Sequence, residues 1–131
     1  EGLDARRFLR FVPWLSRPAF YGLMQRADVF LDTIGFSGFN TALQSIECGL
    51  PVVAREGRFL RGRLASGLLK RLDLRELVTT TGADYAALAA RLVRDRAYRE
   101  DIRGRMAARR HLLYEDRAPI LALEQFLAHG T

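Results

Sequence analysis

The residues best suited to chemistry in this chain stand together as Asp32-Thr33-Ile34-Gly35-Phe36-Ser37-Gly38-Phe39-Asn40-Thr41. Gly35 and Gly38 allow a backbone to approach a ligand closely, and Asn40 and Thr41 add side-chain donors where a helical pattern begins. A helix start carries unpaired N–H groups and the positive end of the helix dipole, a combination suited to phosphate. The spacing is neither a Walker loop nor a G-x-G-x-x-G, so an ordinary βα loop with turn glycines is the competing reading. A second stretch, Pro13-Trp14-Leu15-Ser16-Arg17, offers two further groups. Arg17, close to a helix start, can grip a phosphate bidentately or serve as a plain surface Arg. Trp14 either covers a base or packs.

Catalytic sets are weak. There is no nucleophile–His–acid grouping, and Asp32 and Glu47 are isolated carboxylates; Asp32 is equally a cap for local backbone. His111 lies in an Arg-rich helical pattern and is expected to be exposed. With His111 and His129 far apart and Cys48 the only cysteine, neither metal-ligand spacing nor an internal disulfide exists. Cys48 reads as a small core residue. No general base can be nominated, and the catalytic residues stay unknown.

The elements that must position these groups follow from periodicity. Leu9-Arg10-Phe11-Val12 is a strand candidate stopped by Pro13. Ser16 suits an N-cap with Pro18 in the first turn, and Phe20, Leu23, Met24 and Ala27 repeat at helical spacing. Val29-Phe30-Leu31 has the compact apolar character of a buried parallel strand, ended by Asp32. Asn40 or Thr41 is expected to cap the next helix, which ends at Cys48-Gly49 with Gly49 as its C′ residue. Pro51-Val52-Val53-Ala54 and Leu77-Val78-Thr79 read as strands, residues 64–72 as a helix between them. Residues 84–95, 97–113 and 118–127 read as helices. This alternation predicts an open parallel α/β sheet, in which ligands bind beyond the carboxyl ends of the strands.

Composition narrows the class. The 131 residues suit one domain, 1–131, and 49% of them are hydrophobic, enough for a core. The net charge is +6, and of the 21 basic residues only Lys70 is not Arg. These Arg residues alternate with acids, as in Arg94-Asp95-Arg96 and Arg99-Glu100-Asp101, so a mixed solvated surface is expected rather than a nucleic-acid face. No apolar run reaches the length of a membrane span, and Glu1-Gly2-Leu3-Asp4-Ala5-Arg6-Arg7 does not resemble a signal peptide, which points to the cytoplasm. The chain starts in mid-pattern and reads as a piece of a longer one.

Phe11-Val12-Pro13, the run Arg26-Ala27-Asp28-Val29-Phe30-Leu31-Asp32-Thr33, Gly38-Phe39-Asn40-Thr41 and Cys48-Gly49-Leu50-Pro51-Val52-Val53 resemble the C-terminal half of O-linked N-acetylglucosamine transferases, above all their bacterial SPINDLY-like relatives. Arg58-Phe59, the segment Arg61-Gly62-Arg63-Leu64-Ala65-Ser66 and Asp84-Tyr85 extend the resemblance over residues 9–127. It implies a partial Rossmann-like open parallel sheet with flanking helices and a helical C-terminal third, the C-terminal lobe of a two-lobed GT-B glycosyltransferase. The implied activity is metal-independent transfer of a sugar from a nucleotide diphosphate donor, UDP-GlcNAc-like, to an acceptor such as protein Ser or Thr, with no cofactor. The implied partners are that donor, the N-terminal lobe of the same protein and a protein acceptor.

By the same resemblance Trp14 and Leu15 stand where the backbone reads the base, and Arg17 where a phosphate-binding Lys is usual. Phe39, Asn40 and Thr41 stand at a His-Thr-Thr stretch that cradles the diphosphate, and Gln44 where an acid holds the ribose. Phe20 and Leu23 replace polar residues of the best-known members. The alternative is a degenerate lobe, non-catalytic, serving as a binding or assembly module; Phe39 and Gln44 favour it.

Overall fold

The computed structural model describes residues 4–129, so the expectation about a leader at Glu1, Gly2 and Leu3 lies outside the described residues. A short helix α1 (Ala5–Phe8), which the sequence pattern does not announce, precedes an irregular stretch. Helix α2 (Arg17–Arg26) starts as expected: Ser16 accepts a hydrogen bond from the Ala19 amide at 3.5 Å, and Pro18 occupies the first turn. The chain then alternates through β1 (Phe30–Leu31), α3 (Asn40–Glu47), β2 (Val52–Arg55), α4 (Leu64–Arg71) and β3 (Val78–Thr79). Helices α5 (Gly82–Arg94), α6 (Arg96–Arg109) and α7 (Ala118–His129) complete it.

The three strands form one parallel sheet in the order β1-β2-β3, with Phe30 opposite Val52, Leu31 opposite Val53, Ala54 opposite Val78 and Arg55 opposite Thr79. A parallel neighbour requires a crossover, and α3 and α4 supply the two that are needed. The α/β class expected from the sequence is the one observed. The expected strand at residues 9–12 is not. These residues are irregular and exposed, Phe11 by 95%, because among the described residues no strand lies along the outer edge of β1 to pair with them. A strand pattern without a ladder partner cannot satisfy its backbone groups as a strand. Leu31, on this edge strand, is half-exposed, short of the burial expected of a buried parallel strand.

Two smaller expectations are also corrected. Neither Asn40 nor Thr41 caps α3; Phe39 holds the N-cap position in helical geometry and no side chain caps the helix. Cys48 is only partly buried, because it follows the last turn of α3 at the rim of the core; burial and the nearby Glu47 charge push its thiol up. Gly49 takes the left-handed conformation (φ 70°) expected of a C′ residue.

The core sits under α4, α5 and α6. Leu69, Leu72, Leu74, Leu77, Leu92, Ile102 and Met106 are fully buried against Val52 and Val53 of the central strand. Each such side chain contributes about 1.5–3 kcal/mol relative to exposure. This packed block fixes β2 and the start of α4. Helix α7, by contrast, buries no residue.

Candidate functional site

A groove of about 750 Å³ opens between α2, α3 and the irregular segment before α2. Val12, Pro13, Trp14 and Leu15 form one wall, and Ser16, Arg17, Phe20 and Leu23 of the α2 side a second. Thr41 and Gln44, one turn apart on α3, face them. Five of the residues singled out from sequence therefore share one space: Trp14, Leu15, Arg17, Thr41 and Gln44. Phe39, Asn40 and Gly38 do not line it. Trp14 is fully exposed and lines the groove.

The α3 wall is set by burial. Ala42, Ser45 and Ile46 are inside, and Ser45 donates to the Thr41 carbonyl at 2.8 Å, so Thr41 and Gln44 are turned outward. The first N–H groups of this helix have no intrahelical acceptor and no side-chain cap. An uncapped start next to a groove is an anion-binding arrangement, provided that the loop before it holds its shape.

The α2 wall is held from outside its own sequence. Met24 is buried, Tyr21 donates to Glu47 at 3.3 Å, and Arg103 donates to the Ala27 carbonyl at 3.2 Å. Arg99 pairs with Asp28 at 3.3 Å. Arg17 lies 5.7 Å from the Tyr21 ring centroid and otherwise faces solvent and the groove, with a shallower hollow of about 410 Å³ on its other side. Its guanidinium has no carboxylate partner within ion-pair distance among the described residues, so its donors are open to an anion.

Gly38 has a different place from the one expected. Its N–H donates to Asp32 Oδ1 at 2.8 Å, so this amide is engaged within the loop. A Cβ at Gly38 would meet Asp32 and Thr41 at 3.7 and 3.8 Å, ordinary contact distances, so no close approach demands glycine there. Gly35, at φ 90°, is the glycine that the backbone requires. Sequence reasoning missed Ser37 and Tyr85, which tie this loop to distant helices. A lone Ser in a loop and a Tyr in a helical pattern carry no local signal of such a role. Asp32 was visible as a cap candidate and is one.

Among the described residues no three His, Cys, Asp or Glu side chains gather as a metal site, and no helix is long and apolar enough to cross a membrane.

Residues 10–117 match the model of Glycosyl transferase family 41. A UDP-N-acetylglucosamine–peptide N-acetylglucosaminyltransferase of Giardia intestinalis is 29% identical over 66% of this chain and 6% of its own. A probable enzyme of the same name, SPINDLY, from Petunia hybrida is 35% identical over 57% of this chain and 8% of its own. The solved structure of a mutant O-GlcNAc transferase from Thermobaculum terrenum superposes with a TM-score of 0.74 at 33% identity, over 85% of this chain and 22% of that one. The chain thus spans less than a tenth of these two curated relatives and under a quarter of the solved one. With a family model covering most of its length, and a related structure sharing its fold, this chain belongs to glycosyl transferase family 41.

Proposed function

We propose that this chain forms the donor-binding part of a glycosyltransferase that moves a sugar from a UDP-linked donor, of the GlcNAc type, to a protein Ser or Thr hydroxyl. The observation that carries this reading is the shared groove: Arg17, at the start of α2, and Thr41, in the uncapped first turn of α3, line one space. Donor and acceptor class come from the names of the relatives, which transfer N-acetylglucosamine from UDP to peptide.

The chemistry follows from where charge develops. As the bond between the anomeric carbon and the diphosphate oxygen breaks, negative charge moves onto the diphosphate. The Arg17 guanidinium and the amides of residues 39–41 are the groups assigned to receive it. Donors held in place beforehand stabilise such charge without reorganising. Trp14 and Leu15 are assigned to the base and Gln44 to the ribose. A neutral Gln holds a ribose hydroxyl more weakly than a carboxylate, because its acceptor oxygen carries no charge.

Thermal denaturation with UDP and UDP-GlcNAc tests the reading. A ligand at a hundred times its Kd adds about 2.7 kcal/mol to a folded state that alone binds it, a rise of several degrees in Tm for a domain of this size. An unmoved Tm at millimolar concentrations of either compound would transfer support to the second reading, a lobe retained as a binding or assembly module. The observation in favour of that second reading is Phe39, whose ring is half-exposed at the N-cap position and offers no hydrogen bond.

A further inference from the structure

We propose that Asp32, Ser37 and Tyr85 are positioning residues that lock the 33–39 loop, so that the start of α3 stays open toward the groove; this rests on the donor-binding reading above. The loop cannot be held by apolar packing, since Ile34, Phe36 and Phe39 are all exposed. Its polar anchors are buried instead: Asp32 and Ser37 are each 2% exposed.

These anchors reach three different elements. The Asp32 carboxylate accepts from the Gly38 amide at 2.8 Å and closes the loop on itself. The Asp32 carbonyl accepts from the Tyr85 hydroxyl at 2.9 Å, and Tyr85 stands in the first turns of α5. The Ser37 hydroxyl accepts from the Ala65 amide at 2.8 Å at the start of α4, while the Ser37 amide donates to the Arg61 carbonyl at 2.7 Å. Both helices belong to the packed core, so the loop inherits its rigidity from the core rather than from its own sequence.

The placement of Asp32 has a second effect. A carboxylate beside a helix start ordinarily caps the first free amides. Here it is committed to Gly38, and the amides that follow Phe39 keep no side-chain partner. The negative charge shapes the loop without occupying the helix start.

Calorimetric titration with UDP, at a temperature where circular dichroism shows every variant folded, tests the proposal. Asp32→Ala is expected to weaken UDP about tenfold, and Asp32→Asn, which keeps an acceptor oxygen, to recover most of that loss. Tyr85→Phe and Ser37→Ala are each expected to weaken it severalfold. Amide hydrogen exchange in the unliganded protein gives an independent reading: Gly38 should exchange faster in Asp32→Ala, and Ala65 faster in Ser37→Ala. Wild-type affinity in folded Asp32→Ala, or no recovery in Asp32→Asn, would overturn the proposal. If Asp32→Ala does not fold, unchanged affinity in Tyr85→Phe overturns it. Wild-type protein that binds no UDP removes the donor reading itself, whereas wild-type protein that binds UDP, with unaltered exchange at Gly38 and Ala65 in the variants, removes only the loop lock.

Discussion

The Tyr114 hydroxyl donates to Glu47 Oε1 at 2.7 Å, and the Tyr21 hydroxyl donates to Oε2 of the same carboxylate at 3.3 Å. One side chain at the last residue of α3 thereby joins the segment after α6 to the helix that begins with Arg17. The Glu47 carbonyl also accepts from Arg110 at 3.3 Å. The position of the α2 wall of the groove thus depends on residues far along the chain.

This link is sensitive to alkali. Burial first, then the hydrogen bond to Glu47 and its charge, push the Tyr114 phenol from its ordinary 10.0 up to about 12. A group whose folded value is raised stabilises fully below its unfolded value, so the contribution is complete below pH 10 and disappears as pH rises through about 12. Ultraviolet titration should show a phenolate transition near pH 12 that Tyr114→Phe lacks. Because Tyr114 is partly exposed and its bond screened, that variant is expected to lose only about 0.5–1 kcal/mol in urea unfolding at neutral pH.

Glu56 responds in the opposite direction. Its side chain is 15% exposed and pairs with both Lys70 and Arg63, which fastens the loop after β2 to α4. The hydrogen bond from Lys70 is the largest influence on its carboxyl; burial comes next and opposes it, and the Arg63 hydrogen bond with both positive charges leaves the carboxyl below the ordinary 4.5. The stabilisation is therefore present above pH 4.5 and lost as pH falls through the lower folded value. Glu56→Gln should cost about 1 kcal/mol at pH 7, and its melting curve should converge on that of the wild type as the solution is acidified through the lowered folded value.

Leu69 lies at the centre of the core on α4 and is wholly buried. Leu69→Ala removes its packing and leaves a cavity, so a loss of about 2–5 kcal/mol is expected in chemical denaturation. A loss below about 1 kcal/mol would show that α4 is not the support of the sheet described above.

Arg17 separates binding from stability. It is exposed, and its guanidinium lies 5.7 Å from the centroid of the Tyr21 ring. Arg17→Ala is expected to weaken UDP about tenfold in calorimetry, while changing unfolding free energy by no more than about 0.5 kcal/mol. Arg17→Lys, which keeps the charge and loses the planar fork, should fall between. Affinity equal to that of the wild type in Arg17→Ala would remove Arg17 from the proposed site.

Much of the fold is legible locally. Ser16 with Pro18, Gly49 followed by Pro51, and the compact runs at residues 29–31 and 51–54 mark helix ends and strands by rules that act within a few residues. The failures share one cause. Residues 9–12 carry a strand pattern, yet a strand exists only with a neighbour, and no local rule supplies one. Asn40 and Thr41 suit a cap by type, but the loop geometry puts Phe39 in that place.

The sequence by itself determined the α/β alternation, the glycine-bearing loop before α3 and the family pattern that runs through it, because each rests on residue types at short separation. Tertiary structure alone decided which of the singled-out residues meet. Thr41 and Gln44 face Arg17 and Trp14 across the groove because Ala42, Ser45 and Ile46 turn α3 inward, and because Glu47, Tyr21 and Tyr114 hold α2 beside it. The Gly38 amide donates to Asp32, six residues back in the same loop. Those relationships connect residues far apart in the chain, and side-chain burial and hydrogen bonding across such distances are settled only when the core has packed.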